Sequence, residues 1–294
     1  MLENSRVIVD IDSCTKCRAC VRDCVAKLYL FESDRLQFRE NFEEDCIECG
    51  HCTAVCPVNI IQLKNSPVDD VNELADLNEP PNFESLLSLI MTRRSIRQFK
   101  DEPVSKEIIE KILQLARYSP TGSNEENVYY TVVQDPELLA KYSDEITLQV
   151  TNFVKKYEDP EGYESLKATF PKGLIEKVGE YIERFKRILE AIEGGHEFWR
   201  WNREIIIIHS PKNAVTLVEN CSLAASHIML AAETLGLGTC SLGFATTFTN
   251  QFRTVSKIVK FPRKHKVAYT LAIGYPKVKY FRIPARKPLK VKWL

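Results

Sequence analysis

Ten cysteines occur in 294 residues, and eight of them fall between Cys14 and Cys56. The first four lie in CTKCRACVRDC, residues 14 to 24, and the second four in CIECGHCTAVCP, residues 46 to 57. Both runs have spacings of two, two and three residues. Two thiolates separated by two residues can turn toward one metal centre, and zinc sites set two such pairs far apart to build one tetrahedron. Here a third cysteine follows after two more residues, so three thiolates converge on one small object. That arrangement suits a cubane cluster, three of whose irons are reached from one tight loop. The fourth cysteine points elsewhere, and in chains with two such runs it ligates the other cluster. The opening MLENSRVIVDID shows no secretory pattern, so metal binding is expected in preference to a disulfide scaffold, and a cytoplasmic location with it.

The double run resembles bacterial two-cluster ferredoxins over residues 5 to about 64. The crossing rule then assigns Cys14, Cys17, Cys20 and Cys56 to one [4Fe–4S] cluster, and Cys46, Cys49, Cys52 and Cys24 to the second. One position departs from the pattern. The second run ends Cys56–Pro57, whereas the first ends Cys24–Val25, without the proline that shapes the turn and excludes water. His51, between Cys49 and Cys52, reads as a spacer because four thiolates already complete the site. Residues 1 to 64 hold eleven acids and eight bases, a mildly acidic segment that reads as a solvated face.

A second set of residues suits a phosphate. RRSIR offers guanidinium forks at Arg93, Arg94 and Arg97 and a hydroxyl at Ser95. SPTGSN, from Ser119 to Asn124, is a turn-rich stretch with exposed donors, and IPARKP holds Arg286 and Lys287 between prolines. With LGLGTCSLGF at Leu235 to Phe244, these stretches resemble the nitroreductase family of FMN-dependent oxidoreductases over roughly residues 83 to 294, in the family's order along the chain. The resemblance implies FMN contacts from Arg93, Arg94, Ser95, Arg97, Pro120, Thr121, Gly122, Ser123, Asn124, Ser241, Leu242 and Gly243. It implies phosphate contacts from Arg286 and Lys287, and a backbone N–H of Leu242 or Gly243 facing flavin N5. It further implies an intertwined homodimer in which SPTGSN reaches the flavin largely from the partner subunit. The usual N-x-Q-P-W continuation is replaced by Asn124-Glu-Glu-Asn-Val128, which alters the ring contacts expected from Glu126 and Asn127. GLGTCS is no dinucleotide fingerprint, since Ser241 stands where the third glycine belongs and the segment follows a helix.

These residues need a scaffold, and the chain divides for it. Residues 65 to 82 are polar, acidic and proline-containing, and read as a linker between a 1–64 cluster domain and an 83–294 flavin domain. In the latter, Phe83, Leu86, Leu87 and Ile90 recur at helical spacing. Ser105 is a good N-cap, with Val104 and Ile109 placed as a hydrophobic staple, and Ile108, Ile112, Leu113 and Ala116 give its helix a buried face. The pattern predicts a strand near Val128 to Val133, helices from about Pro136 to Glu193, a strand at Ile205 to His209 and a long helix from about Ala214 to Leu235. A short helix near Asn250 to Val259 and a strand in KVAYTLAIGYP complete it. The fold class is α+β, with a central mixed sheet flanked by helices. Cys221 and Cys240 are expected in the long helix and the loop after it, and His209 and His227 as satisfied core histidines. Residues 147 to 203 are aromatic-rich, with Tyr157, Tyr163, Phe170, Tyr181, Phe185, Phe198, Trp199 and Trp201, and offer either a lid over the flavin or ordinary helix packing. Arg200 and Arg203 are candidates for a substrate anion, though surface roles suit them as well.

Zero formal charge gives no general pull toward nucleic acid or membrane, and no apolar run is long enough to cross a bilayer. The expected function is a relay: two [4Fe–4S] clusters pass electrons from a low-potential donor, such as ferredoxin or NAD(P)H, to FMN. The flavin then reduces a small planar molecule such as a nitroaromatic or quinone. Two other readings stand beside it: a non-catalytic electron-transfer partner, and an NAD(P)H-dependent nitroreductase with accessory clusters.

Overall fold

The computed structural model describes residues 2–66, 82–171, 173–194 and 204–294. The expected linker lies almost wholly outside the described residues, as do Phe198, Trp199, Arg200, Trp201 and Arg203. The chain packs as two units, one of Met1–Pro81 with Gly122–Glu125, the other of Asn82–Thr121 with Glu126–Leu294.

The first unit is a near repeat built around its two cysteine runs. Strands β1 (Leu2–Glu3) and β2 (Val7–Val9) pair antiparallel, and β2 pairs in turn with the last strand of the unit, Ile61–Leu63 (β5), Val9 facing Ile61. Between them lie helix α1 (Ala19–Asp23), the hairpin β3 (Tyr29–Glu32) and β4 (Arg35–Phe38), and the short helices α2 (Phe42–Asp45) and α3 (His51–Ala54). Val7, Val9, Leu28, Tyr29, Leu36, Phe42 and Ile61 form a small core, with Cys20, Cys24, Cys46, Cys52 and Cys56 packed into or against it. A core of this size supports little fold by itself, which makes metal ligation part of the stability of such a unit.

The second unit has a four-stranded sheet in the order β6 (Tyr129–Val133), β7 (Glu204–Pro211), β9 (His265–Gly274), β8 (Gly238–Ser241), antiparallel throughout. It is mixed only through a parallel bridge of Ser95 to Thr239 at its β8 edge. Central β7 reads EIIIIHSP, buried along nearly its whole length because helices cover both faces. On one face Ile206 and Ile208 pack against α5 (Lys106–Ala116) and α10 (Leu217–Thr234). On the other, Ile205 and Ile207 meet α6 (Pro136–Glu158), α7 (Pro160–Thr169), α8 (Leu174–Gly179), α9 (Ile182–Glu193), α11 (Gly243–Gln251) and α12 (Arg253–Ile258). Ser105 accepts from the Ile108 N–H, and both Val104 and Ile109 are buried.

Two elements differ from expectation. Cys240 lies on β8 rather than in a loop, because Thr239 and Cys240 pair with Ile273 and Ala272 of β9. The single short helix near 250–259 is two helices, broken at Phe252, whose extended backbone (φ −112°, ψ 119°) cannot continue the first. Helix α4 (Phe83–Thr92) buries none of its residues: Phe83, Leu86 and Ile90 are exposed, so its apolar stripe faces away from the core of this chain.

Candidate functional site

In the first unit Cys14, Cys17, Cys20 and Cys56 line one cavity, with Phe31, Leu36 and Ile61 as apolar wall. Both C-x2-C-x2-C loops turn the same way. Lys16 and Arg18 (φ 58° and 60°) flank Cys17, and Glu48 and Gly50 (φ 52° and 74°) flank Cys49 in the left-handed region. Only Gly50 is free of the steric cost there; the other three carry about 1 kcal/mol or more each, a strain typical of ligand-binding turns. Backbone N–H groups of Lys16 and Leu28 donate to the sulfurs of Cys14 and Cys24, both at 3.4 Å, as suits thiolates. Burial pushes the Cys20 thiol up to about 11 and raises Cys46 and Cys52. A metal is what lets such buried sulfurs stay deprotonated. Near Cys52, the hydroxyls of Tyr29 and Thr53 hydrogen-bond its sulfur and oppose the upward push of burial, as donors to a thiolate would. The donor set and its surroundings therefore fit two clusters. His51 Nδ1 sits 3.1 Å from Asp23 Oδ2, which joins the two runs at the surface. Val25 is 76% exposed. Within this same unit Asn124 Nδ2 donates to the carbonyls of Ile47 and Glu48, both at 3.3 Å.

In the second unit the RRSIR segment runs along the edge of β8. Ile96 N–H donates to Thr239 O at 2.9 Å, and Lys100 N–H to Tyr275 O at 2.8 Å. Burial raises the Cys240 thiol, and this seam brings Arg97 and Arg93 close enough to oppose part of that rise. Gly238 is what permits the seam, because a Cβ there would stand 2.3 Å from Ile96 Cγ1. The Arg94 guanidinium donates to the carbonyls of Met91 and Thr92 and caps the end of α4.

Arg97, Ser241, Leu242 and Gly243 line a cavity of about 460 Å³. Leu242 N–H donates to Thr270 O at 2.8 Å, and Gly243 is the first residue of α11, where the helix itself supplies no acceptor for the N–H. A Cβ on Gly243 would meet nothing within 4 Å, so its Cα borders open space. Ser241 Oγ lies 2.8 Å from the Tyr269 hydroxyl. The cations, the amide at the start of α11 and the size fit a flavin. Opposite stand Lys177, Tyr181 and Arg184 from α8 and its successor α9. Lys177 and Arg184 carry no signal in the sequence beyond helical charge; only the packing of these helices beside Phe244 selects them. Tyr181 and Phe185 meet the Phe244 ring at 5.5 and 4.6 Å. Phe170 and Phe185 are core residues, so of the described aromatics in 147–203 it is Tyr181 that faces the cavity.

Pro120 is exposed and Thr121 Oγ1 accepts from the Glu126 N–H at 3.0 Å, closing the SPTGSN turn. Ser123 and Asn124 adopt left-handed backbone, and with Gly122 they belong to the first unit. Arg286 and Lys287 are exposed on the C-terminal segment and do not line the Arg97 cavity. His227 Nδ1 is 2.7 Å from Ser119 Oγ, and His209 is enclosed by Thr131 and His265, both structural placements.

A model described as the nitroreductase family matches residues 90–275, and one described as a 4Fe-4S dicluster domain matches residues 13–61. The chain belongs to the nitroreductase family. An Archaeoglobus fulgidus relative provisionally named NADH dehydrogenase/NAD(P)H nitroreductase is 27% identical over 199 residues, 66% of this chain and 87% of its own. An iodotyrosine deiodinase of Nematostella vectensis is 27% identical over 203 residues, 67% of this chain and 70% of its own. Among solved structures, a Desulfitobacterium hafniense nitroreductase with bound FMN superposes with a TM-score of 0.52 at 22% identity, covering 71% of this chain and 97% of that one. This nitroreductase-family protein is thus an FMN oxidoreductase joined to a ferredoxin-type domain, and its cofactors are two [4Fe–4S] clusters and FMN. No helix among the described residues is long and apolar enough to cross a membrane.

Proposed function

We propose that the two clusters accept electrons singly from a low-potential donor and relay them to FMN, which reduces a small planar organic molecule bearing an anionic group. The observation that carries the substrate reading is the cavity shared by Arg97, Gly243, Lys177, Tyr181 and Arg184. When bound, FMN supplies the exchange between single electrons and a hydride. The chain does the rest. Arg93 and Arg97 hold negative charge at the β8 edge, and the Gly243 N–H donates toward the ring edge. Tyr181 offers an aromatic face, while Lys177 and Arg184 bind the substrate anion and orient the ring over the flavin. The iodotyrosine deiodinase relative, named for an aromatic amino acid, is in keeping with a charged aromatic. Nitroaromatics and quinones remain the simplest planar acceptors.

A second copy of the chain completes the site in this reading. The exposed stripe of α4 and the exposed Phe281, Leu289 and Trp293 of the C-terminal segment are the apolar surface such a partner would cover. Pro120, Thr121, Gly122, Ser123, Asn124, Arg286 and Lys287 would then serve the flavin of the dimer. We place the cluster domain at residues 1–64 and the flavin domain at 83–294, with Lys177, Tyr181 and Arg184 as the part of the 147–203 stretch that covers the flavin.

Anaerobic stopped-flow with reduced ferredoxin against NADH tests the relay. Rapid flavin reduction by ferredoxin, lost in Cys14→Ala/Cys46→Ala with FMN retained, is the expected result. Ferredoxin reduction unimpaired in that variant overturns it. The NAD(P)H reading predicts fast reduction by NADH in both proteins, and is favoured by the name of the Archaeoglobus relative.

A further inference from the structure

The second unit holds another cavity of similar size, about 470 Å³, that shares no residue with the one containing Arg97. Its rim carries Lys212, Arg253, Lys257, Lys260, Arg263 and His265, and no carboxylate lines it. The sequence accounts for part of this, since no Asp or Glu occurs after Glu233. None of the five Lys and Arg side chains pairs with a carboxylate among the described residues. Five like charges around one concavity repel one another and raise the local potential, a cost with no offsetting ion pair among the described residues.

The concavity is built on fixed parts. Lys212 N–H donates to Lys264 O at 2.9 Å and His265 N–H to Pro262 O at 2.9 Å, tying the end of β7 to the loop before β9. Asn250 grips β9 from the floor, Nδ2 donating to Val267 O at 2.7 Å and Oδ1 accepting from the Val267 N–H at 3.0 Å. His265 is held by its Nδ1, 2.9 Å from His209 Nδ1, so its Nε2 is left for other partners. Phe261, its ring 5.7 Å from that of His209, adds an apolar wall.

We infer that this concavity binds a phosphate-rich small molecule of nucleoside di- or triphosphate size, its phosphates among Lys212, Arg253, Lys257, Lys260 and Arg263 and its apolar part against Phe261. Cations clustered on a hydrogen-bonded frame, a volume suited to one nucleotide and a single aromatic wall match that ligand better than a flat protein surface does. This is a site separate from the flavin, available to an effector while FMN is bound.

The test uses the FMN- and cluster-loaded full chain, titrated calorimetrically with ADP, inorganic pyrophosphate and adenosine at 0.15 M salt. ADP and pyrophosphate are expected to saturate one site per chain, with affinity falling as salt rises, and adenosine to bind at least tenfold more weakly. Arg253→Glu/Lys257→Glu should weaken ADP at least tenfold, and Arg253→Gln/Lys257→Gln by less, both with unchanged FMN content and substrate reduction. Equal ADP affinity in wild type and both variants overturns the site. So does failure of ADP and pyrophosphate to saturate, or wild-type binding of an acidic protein in their place. Should the Glu variant fold poorly, the Gln variant decides.

Discussion

Gly238 and Ile96 are in van der Waals register because the glycine has no Cβ: one built there would lie 2.3 Å from Ile96 Cγ1 and 2.8 Å from its Cβ. The backbone of Ile96 can therefore reach Thr239 O at 2.9 Å and carry Arg97 to the cavity. Gly238→Ala should cost about 1–3 kcal/mol of stability by overpacking and weaken FMN binding as the arginine segment lifts. Adding Ile96→Ala should restore part of both. Thermal melting and FMN titration of the two single variants and the double variant give the coupling.

The cavity lined by Cys14, Cys17, Cys20 and Cys56 makes a prediction about metal content. Cys14→Ser should lose about half of the iron and sulfide, since one cluster of two fails while the other keeps its ligands. FMN occupancy should stay at the wild-type level. Iron, sulfide and flavin analysis of the purified protein checks all three.

Val25, 76% exposed, stands where the other run has Pro57. Val25→Pro should shield the sulfur of Cys24 from water. Reduction adds negative charge to an already anionic cluster, so less solvent disfavours the reduced form. The midpoint of one cluster should fall, on the order of tens of millivolts. An EPR-monitored redox titration resolves it from the other, and an unchanged pair of midpoints would refute the argument.

Lys177 and Arg184 face the Arg97 cavity from the helical side. Arg184→Ala should raise KM about tenfold for a carboxylate-bearing aromatic while leaving kcat within about twofold, because it removes binding common to ground and transition states. For a neutral quinone neither constant should move. Steady-state kinetics with the matched pair of acceptors distinguishes binding of the anion from general damage.

His209 is buried beside His265, and desolvation, then the neighbouring ring, depress it from 6.5 to about 4. Above pH 6.5 neither folded nor unfolded chain holds the extra proton. Between 6.5 and about 4 only the unfolded chain takes it up, so stability falls through that window by up to about 3 kcal/mol. Melting temperatures at pH 7 and pH 5 should differ less in His209→Gln than in wild type.

How much of this was written in the sequence depends on how local each signal is. Three cysteines within seven residues fix the geometry of one loop almost alone, and a serine cap with a hydrophobic staple fixes where α5 begins. RRSIR and GTCSLG were legible as motifs, and so was their order. Spacing along the chain says nothing of which strand edge another segment will join. Sheet register decided that Arg97 reaches a cavity, and that the Leu242 amide is engaged by Thr270. Helix packing decided that Lys177 and Arg184 face the flavin side. The basic concavity draws on Lys212, α12 and the loop before β9, residues scattered over more than one element with no shared period. Charge along a chain is one-dimensional, and only folding turns it into a field.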